Sequence, residues 1–338
     1  MTIEIVKEKI AVATQSDMPG NIADWGQLVS TAHQRISSSV LQTPVVSISD
    51  LLPDPSVRVL AKLENLQKTG SFKLRGATNK ILLLTAQQRA NGVIAASNGN
   101  HGLGVASAAN DAGISAQVYV SSHVSPAKAS RIEQCGALIC RAGETPLEAE
   151  MAGRTAAVQS GKVFISPYND VDVIAGQGTI AVELYTQAPD LDAVFVAVGG
   201  GGLIGGIGAY LKWIAPQTQI VGCWPKNSPV LYECIKAGRI IDVPEQATLS
   251  ESTAGGLEPE SITLDLCKHV IDRSVLVSEE EILEAMKKAR EFKGWLIEGA
   301  AAVALAAFLK EATLYRNKTV AIIICGGNVS PKVLQKLQ

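Results

Sequence analysis

Short runs of β-branched and apolar residues recur at 57–63, 93–96, 117–120, 193–198, 219–224 and 319–325, and stretches of helical period separate them. A strand that is followed by a helix and then by another strand returns by a crossover. Its neighbours therefore lie parallel, with helices covering both faces of the sheet. The expected fold class is α/β, with open, twisted, mostly parallel sheets flanked by helices. At 338 residues the chain exceeds the roughly 250 to 300 residues at which one core usually divides, so two domains are expected. No solenoid repeat, low-complexity linker or block of like charges separates them, which points to domains that are interleaved rather than strung in tandem.

Helix starts are marked locally. Ser278 with Glu281 three residues on reads as a capping box ahead of Ile282, Leu283 and Met286. The stretch 298–310 is apolar nearly all round and reads as a buried helix. Residues 193–211 are uncharged for 19 positions, close to the length of a membrane span, yet seven of them are glycine and four glycines are consecutive. A strand running into a tight loop accounts for that composition better than a span. The amino terminus carries Glu4, Lys7, Glu8 and Lys9 without an apolar core, so no signal peptide is read there and a cytoplasmic location is expected. Thirty basic against 32 acidic residues and an aromatic fraction of 4% leave neither the field nor the stacking surface for nucleic acid. The six cysteines form no CxxC pair and read mostly as buried thiols.

Four segments carry chemistry. Gly199-Gly200-Gly201-Gly202-Leu203-Ile204-Gly205-Gly206 follows an expected strand and opens an expected helix. Backbone N–H groups in such a loop converge on an anion, and the helix terminus adds partial positive charge. The GxGxxG spacing also suggests a dinucleotide, but that reading needs an acid about 20 residues on for the ribose. None occurs from Trp213 to Tyr232, so a phosphate cup is the better reading, with close packing as the alternative. The second segment, Lys68 to Ala77, places Lys73 beside Phe72 between a loop and a helix, where a desolvated amine could form a Schiff base and a solvated lysine is the plainer alternative. The third, Ser97-Asn98-Gly99-Asn100-His101-Gly102, sits between a strand and a helix at 103–112. It suits a carboxylate and equally a cap and turn. The fourth, Cys325-Gly326-Gly327-Asn328, ends a strand, where ligands of parallel sheets bind and where a buried cysteine is also common.

In this order, together with Thr43-Pro44 and Gly176-Gln177-Gly178-Thr179, the segments resemble the fold type II pyridoxal-phosphate enzymes, and within them the threonine/serine dehydratase and serine racemase branch. The resemblance runs from about Leu41 to the carboxyl terminus. It implies a tryptophan synthase β-like fold, with a large cofactor-binding domain at 1–93 and 168–338 and a small inserted domain at 94–167. It implies pyridoxal 5'-phosphate as cofactor, with Lys73 as its Schiff-base lysine and catalytic base. Phe72 would pack near the cofactor ring and Asn100 would bond its 3'-oxygen. Gly199, Gly200, Gly201, Gly202 and Leu203 would hold its phosphate, and Cys325 would face the pyridine nitrogen. Ser97, Asn98, Gly99, His101 and Thr253 would bind the substrate. The implied activity is α,β-elimination from a β-hydroxy-α-amino acid such as L-threonine or L-serine, giving a 2-oxo acid and ammonia, in a homodimer with no membrane or nucleic-acid partner.

Departures from the family pattern narrow the expectation. Racemases of this branch resemble Ser-Ser-Gly-Asn-His. Asn98 stands at the second serine, and an amide relays no proton at neutral pH. Trp224-Pro225 and Val230 stand where relatives carry an acidic divalent-cation site, so no metal is expected. Ten residues follow Asn328, too few for a carboxyl-terminal regulatory domain, and isoleucine feedback is not expected. The segment Ser250 to Pro259 departs from the usual threonine dehydratase loop, which leaves phenylserine or 3-hydroxyaspartate open as substrate, followed by racemisation, β-replacement or a silent cofactor-binding protein.

Overall fold

The computed structural model describes residues 18–51, 54 and 56–337. Glu4, Lys7, Glu8 and Lys9, which argue against a leader, lie outside the described residues. In chain order, helix α1 (Ile22–Ile36) precedes strands β1 (Val45–Ser47) and β2 (Arg58–Leu63), then α2 (Lys73–Leu82), α3 (Ala86–Asn91) and β3 (Val93–Ala96). Next come α4 (Asn100–Asp111), β4 (Ala116–Val120), α5 (Pro126–Gln134), β5 (Leu138–Arg141), α6 (Pro146–Ser160) and β6 (Val163–Phe164). Then follow α7 (Val171–Gln187), β7 (Ala193–Ala197), α8 (Gly202–Ile214), β8 (Gln219–Pro225), α9 (Val230–Ala237) and α10 (Thr263–Val270). The chain closes with β9 (Arg273–Val277), α11 (Glu279–Lys293), α12 (Gly299–Glu311), β10 (Thr319–Ile324) and α13 (Pro331–Lys336).

Two sheets result. The larger has six strands in the order β1-β2-β10-β7-β8-β9, all parallel except β1, and the smaller has four parallel strands in the order β5-β4-β3-β6. At the centre of the larger sheet Ala321 pairs with Leu60 on one side and Val194 on the other. β7 is buried along its whole length, as the apolar runs predict for a strand covered on both faces. Helix α12 is buried from Gly299 to Phe308 and closes one face, where Phe308 meets Phe195 edge to face at 5.5 Å. A second core fills the small sheet and takes Leu74, Ala77 and Ile81 from α2, so α2 contributes to both halves of the molecule.

The capping box at Ser278 and Glu281 is present, with each side chain bonded to the other's backbone. Among the described residues no helix is long and apolar enough to cross a membrane, and residues 193–211 divide into β7, a loop and α8. One boundary is corrected: α4 begins at Asn100 rather than at residue 103, because Gly99 supplies the non-helical N-cap and the polar pair Asn100-His101 enters the first turn.

Beneath α2 lies a set of buried charges. Arg75 donates from Nε to Glu64 Oε2 at 2.7 Å, from Nη2 to Glu64 Oε1 at 2.8 Å and from Nη1 to Glu183 Oε1 at 2.6 Å. Lys62 donates to Glu183 Oε2 at 2.6 Å and to the Thr43 carbonyl at 2.7 Å. Two cations and two carboxylates thus balance within a region where the Arg75 and Lys62 side chains have no exposure. The Gly176 to Thr179 segment belongs to the same joint: Gln177 Oε1 accepts the Gly76 N–H at 3.1 Å, and a Cβ on Gly176 would come within 2.6 Å of the Gly76 Cα. These residues seat α7 against α2.

Candidate active site

The loop before α2 is bound to the end of β10. Phe72 N–H donates to the Cys325 carbonyl at 3.0 Å, Gly327 N–H donates to the Gly70 carbonyl at 2.9 Å, and Ser71 bridges Gly326. Gly70 adopts φ +75°, which favours glycine at the turn. This pairing brings Lys73, the first residue of α2, beside Cys325. Lys73 Nζ donates to the Pro167 carbonyl at 2.8 Å and lies 5.2 Å from the Phe72 ring centroid. It has no salt-bridge partner among the described residues, and the residue is half-buried. Burial pushes its ammonium from 10.5 down to about 8, against the opposing pull of Cys325 and Glu298. An amine so placed is available as a nucleophile and base near neutral pH.

The glycine loop lies at the carboxyl end of β7. Gly201 has φ +86° and is the N-cap of α8, with no side chain to occupy the free amides of the first turn, which begin at Gly202 and Leu203. A Cβ on Gly200 would come to 2.5 Å from the Tyr168 ring, one on Gly202 to 3.0 Å from Tyr168 Cβ, and one on Gly199 to 2.9 Å from the Thr253 backbone. The loop is therefore walled by Tyr168 and by the segment around Thr253, leaving bare backbone donors that suit a phosphate. Thr253 Oγ1 is bound to the Ser250 carbonyl at 3.0 Å, which holds that segment in place. Tyr168 Oη accepts the Glu258 N–H at 2.8 Å.

Across the cleft, Ser97 Oγ accepts the Gly99 N–H at 3.1 Å. Asn98 is held at both ends of its amide, donating to Ser121 Oγ at 2.9 Å and accepting the Ser121 N–H at 3.0 Å. His101 is buried and its Nε2 donates to the Ile165 carbonyl at 2.8 Å, a bond that fixes the ring tautomer with Nδ1 as the unpartnered acceptor. Burial and the nearby Lys73 push its value down to about 3, so the imidazole is neutral. Asn100 donates from Nδ2 to both oxygens of Glu298 at 3.0 and 2.9 Å. The Cys325 thiol is buried, and burial together with Glu298 pushes its ionisation well above the usual range, so it remains a neutral S–H.

The segments are joined by contacts: Lys73 reaches Pro167, whose neighbour Tyr168 walls the glycine loop, Phe72 is bonded to Cys325, Asn100 to Glu298, and Thr253 packs on Gly199. Sequence reasoning missed Tyr168, Pro167 and Glu298, and placed Asn328 in the fourth segment without a role. Glu298 left one signal, a single acid immediately before ten residues that all become buried. Asn328 closes the Cys-Gly-Gly-Asn segment without anything local to show what it contacts. Trp224 is buried against Tyr232 at 5.6 Å between ring centroids, and no group of three His, Cys, Asp or Glu side chains clusters for a metal among the described residues.

Residues 36–326 match the family model described as pyridoxal-phosphate dependent enzyme. The chain is 37% identical over 305 residues to an L-threonine ammonia-lyase of Thermotoga maritima, covering 90% of this chain and 76% of the relative. It is 34% identical to a beta-hydroxyaspartate dehydratase of Paracoccus denitrificans, covering 88% of this chain and 94% of that one. The structure of maize serine racemase superposes with a TM-score of 0.85 at 30% identity, covering 92% of this chain and 95% of that chain.

Proposed function

The chain belongs to the pyridoxal-phosphate-dependent enzyme family, and we propose that within it the protein is a dehydratase that converts a β-hydroxy-α-amino acid to a 2-oxo acid and ammonia. The observation that carries this reading is Lys73 itself, an amine with a single carbonyl partner and a lowered proton affinity, beside a neutral thiol and bonded to the carbonyl of the residue before Tyr168, which walls a loop of bare amides.

The residues fit the cofactor. The amides from Gly199 to Leu203 would hold its phosphate, Lys73 Nζ would hold it covalently, the second N–H of Asn100 Nδ2 would be left for its 3'-oxygen and Phe72 would pack near its ring. Bound there, pyridoxal phosphate supplies a conjugated electron acceptor that stabilises negative charge at the substrate Cα. Lys73 Nζ, with its lowered proton affinity, would serve as the base that takes the Cα proton. The neutral Cys325 Sγ–H would offer the ring nitrogen no negative charge, which would limit how far charge spreads and favour loss of the β-hydroxyl over transamination. Ser97 and the Asn98-Gly99 backbone bind the substrate carboxylate, and Thr253 borders its side chain. Asn98, with both ends of its amide engaged by Ser121, has no proton to exchange on the face opposite Lys73, and this favours elimination over racemisation.

Threonine or serine is the first choice of substrate, and 3-hydroxyaspartate or phenylserine is the second because the Ser250 to Pro259 segment departs from the usual loop. Residues 94–167 form the small domain that closes on the substrate, and the working form is a homodimer, checked by light scattering. The test of function is to incubate the purified protein with each L- and D-β-hydroxy amino acid and to quantify 2-oxo acid and ammonia beside a Lys73→Ala variant. Equal amounts of both products from one substrate are expected. Formation of the opposite enantiomer alone, or capture of the product by an added thiol or indole, would replace this reading with a racemase or a β-replacement enzyme.

A further inference from the structure

Glu298 is a carboxylate that the reaction described above does not use, and it is 5% exposed. The orientation of the amides around it is forced from both ends. Arg131, a donor only, bonds Asn328 Oδ1 at 2.8 Å, and the Thr69 carbonyl, an acceptor only, takes Asn328 Nδ2 at 3.0 Å. Asn328 Nδ2 therefore also donates to Asn100 Oδ1, at 2.7 Å, and this leaves the Asn100 N–H₂ edge turned to Glu298. Donation by Asn100 to both oxygens requires both to accept, as in the ionised carboxylate. Arg131 and Asn100 lie on α5 and α4 beside the small sheet, while Asn328 and Glu298 lie beyond β10 and before α12 of the larger one. Asn100 thus ties the two halves together.

Two further observations set Glu298 apart from a structural carboxylate. Its oxygens pack against Gly326, where a Cβ would approach to 2.7 Å, immediately beside Cys325. A cavity of about 20 Å³, lined among others by Glu298, Ser252 and Asn328, lies next to it. That volume accommodates a single water molecule with polar partners. The titratable groups facing Glu298 are Lys73 on α2 and Cys325 after β10. Burial raises the carboxyl above its usual range, while the Asn100 hydrogen bonds, with Ser252 and the Asn328 backbone as nearby donors, oppose the rise.

We propose that Glu298 is a positioning residue of this site, taking one N–H of the Asn100 amide in a three-centre bond so that the other N–H is left for the cleft, and supplying negative charge that favours the proton on Lys73. The proposal rests on the cofactor placement given above, with Asn100 at the 3'-oxygen. Its test is a spectrophotometric pH titration of the holoenzyme chromophore formed with Lys73, recorded without substrate. Glu298→Gln removes the charge at constant size and is expected to lower the titration midpoint by up to about one pH unit, at or below the lower end of what an opposite charge in direct contact contributes, because no salt bridge joins it to Lys73. Glu298→Asp keeps the charge and should leave the midpoint close to wild type. Ser252→Ala, at an exposed residue, removes a donor that favours the carboxylate and should lower the midpoint by a smaller amount. Coincident midpoints for Glu298→Gln and wild type, or equal shifts for Glu298→Gln and Glu298→Asp, overturn the proposal. If Glu298→Gln does not fold, an unshifted Ser252→Ala overturns it. A wild-type protein that forms no chromophore would instead sink the functional reading, so the two failures are distinguishable.

Discussion

Helix α2 has two sides with opposite electrostatics. Below it, Arg75, Lys62, Glu64 and Glu183 form a buried set in which each cation meets a carboxylate at 2.6 to 2.7 Å. Above it, two residues before Arg75, Lys73 has one carbonyl at 2.8 Å and, among the described residues, no carboxylate in salt-bridge contact. Burial lowers the proton affinity of both Lys62 and Lys73, and at Lys62 the adjacent Glu183 and Glu64 oppose it directly. A buried cation that is fully paired contributes to the joint between elements, whereas one that is left unpaired is poised to lose its proton and react. The same helix thus anchors itself with one set of charges and presents an amine with another.

Substitutions on the two sides should separate chemistry from stability. The largest effect is expected for Lys73→Ala, which should lower 2-oxo acid formation by about a thousandfold or more, assayed directly, while the melting temperature of the apo-protein does not fall. Loss of activity together with global unfolding would erase the distinction between the two sides. Arg75→Met should do the reverse, costing about 3 to 5 kcal/mol in urea unfolding because Glu64 and Glu183 are left with uncompensated charge. Gly200→Ala drives a methyl group into Tyr168 and should weaken cofactor binding about tenfold, through about 1 to 3 kcal/mol of overpacking, measured by titrating pyridoxal phosphate into the apo-protein.

The pH dependence of stability sharpens the contrast further. Lys73 titrates at about 8 in the folded protein against an ordinary value of 10.5, so between these values the unfolded chain holds more protons. The contribution of this residue to apo-protein stability should therefore be flat below about pH 8 and rise from there toward 10.5. Chemical unfolding across that range should show a steeper rise for wild type than for Lys73→Met, and parallel curves would refute the enclosed, unpaired state of the amine. The smallest effect is expected for Asn98→Ser, about 0.5 to 1 kcal/mol of stability from the lost bonds to Ser121, with racemisation becoming detectable by chiral chromatography.

The strands expected from sequence are the six interior ones, β2, β3, β4, β7, β8 and β10, and those missed are the four that edge the two sheets, β1, β9, β5 and β6. Interior strands bury both faces and write a continuous apolar run, as β7 and β10 do. An edge strand leaves much of itself exposed, and in β5 neither Leu138 nor Arg141 is buried, so no such run forms. Turn chemistry was similarly legible: the glycines at 199–202 and the capping box at Ser278 follow from local backbone and hydrogen-bond requirements.

The chain's own sequence was enough to specify the layered α/β architecture, the order of its four chemical segments and the placement of Lys73 at the start of a helix, because each depends on residues within a few positions of one another. Tertiary structure alone decided which lysine is paired and which is free, that Tyr168 walls the glycine loop, that His101 is bound to the Ile165 carbonyl, and that Glu298 meets Asn100 across 198 residues of chain. A hydrophobic pattern reports how much of a segment is covered and carries no information about what covers it. Hydrogen-bond partners so far apart in sequence meet only after the two sheets have formed and α2 has been seated between them.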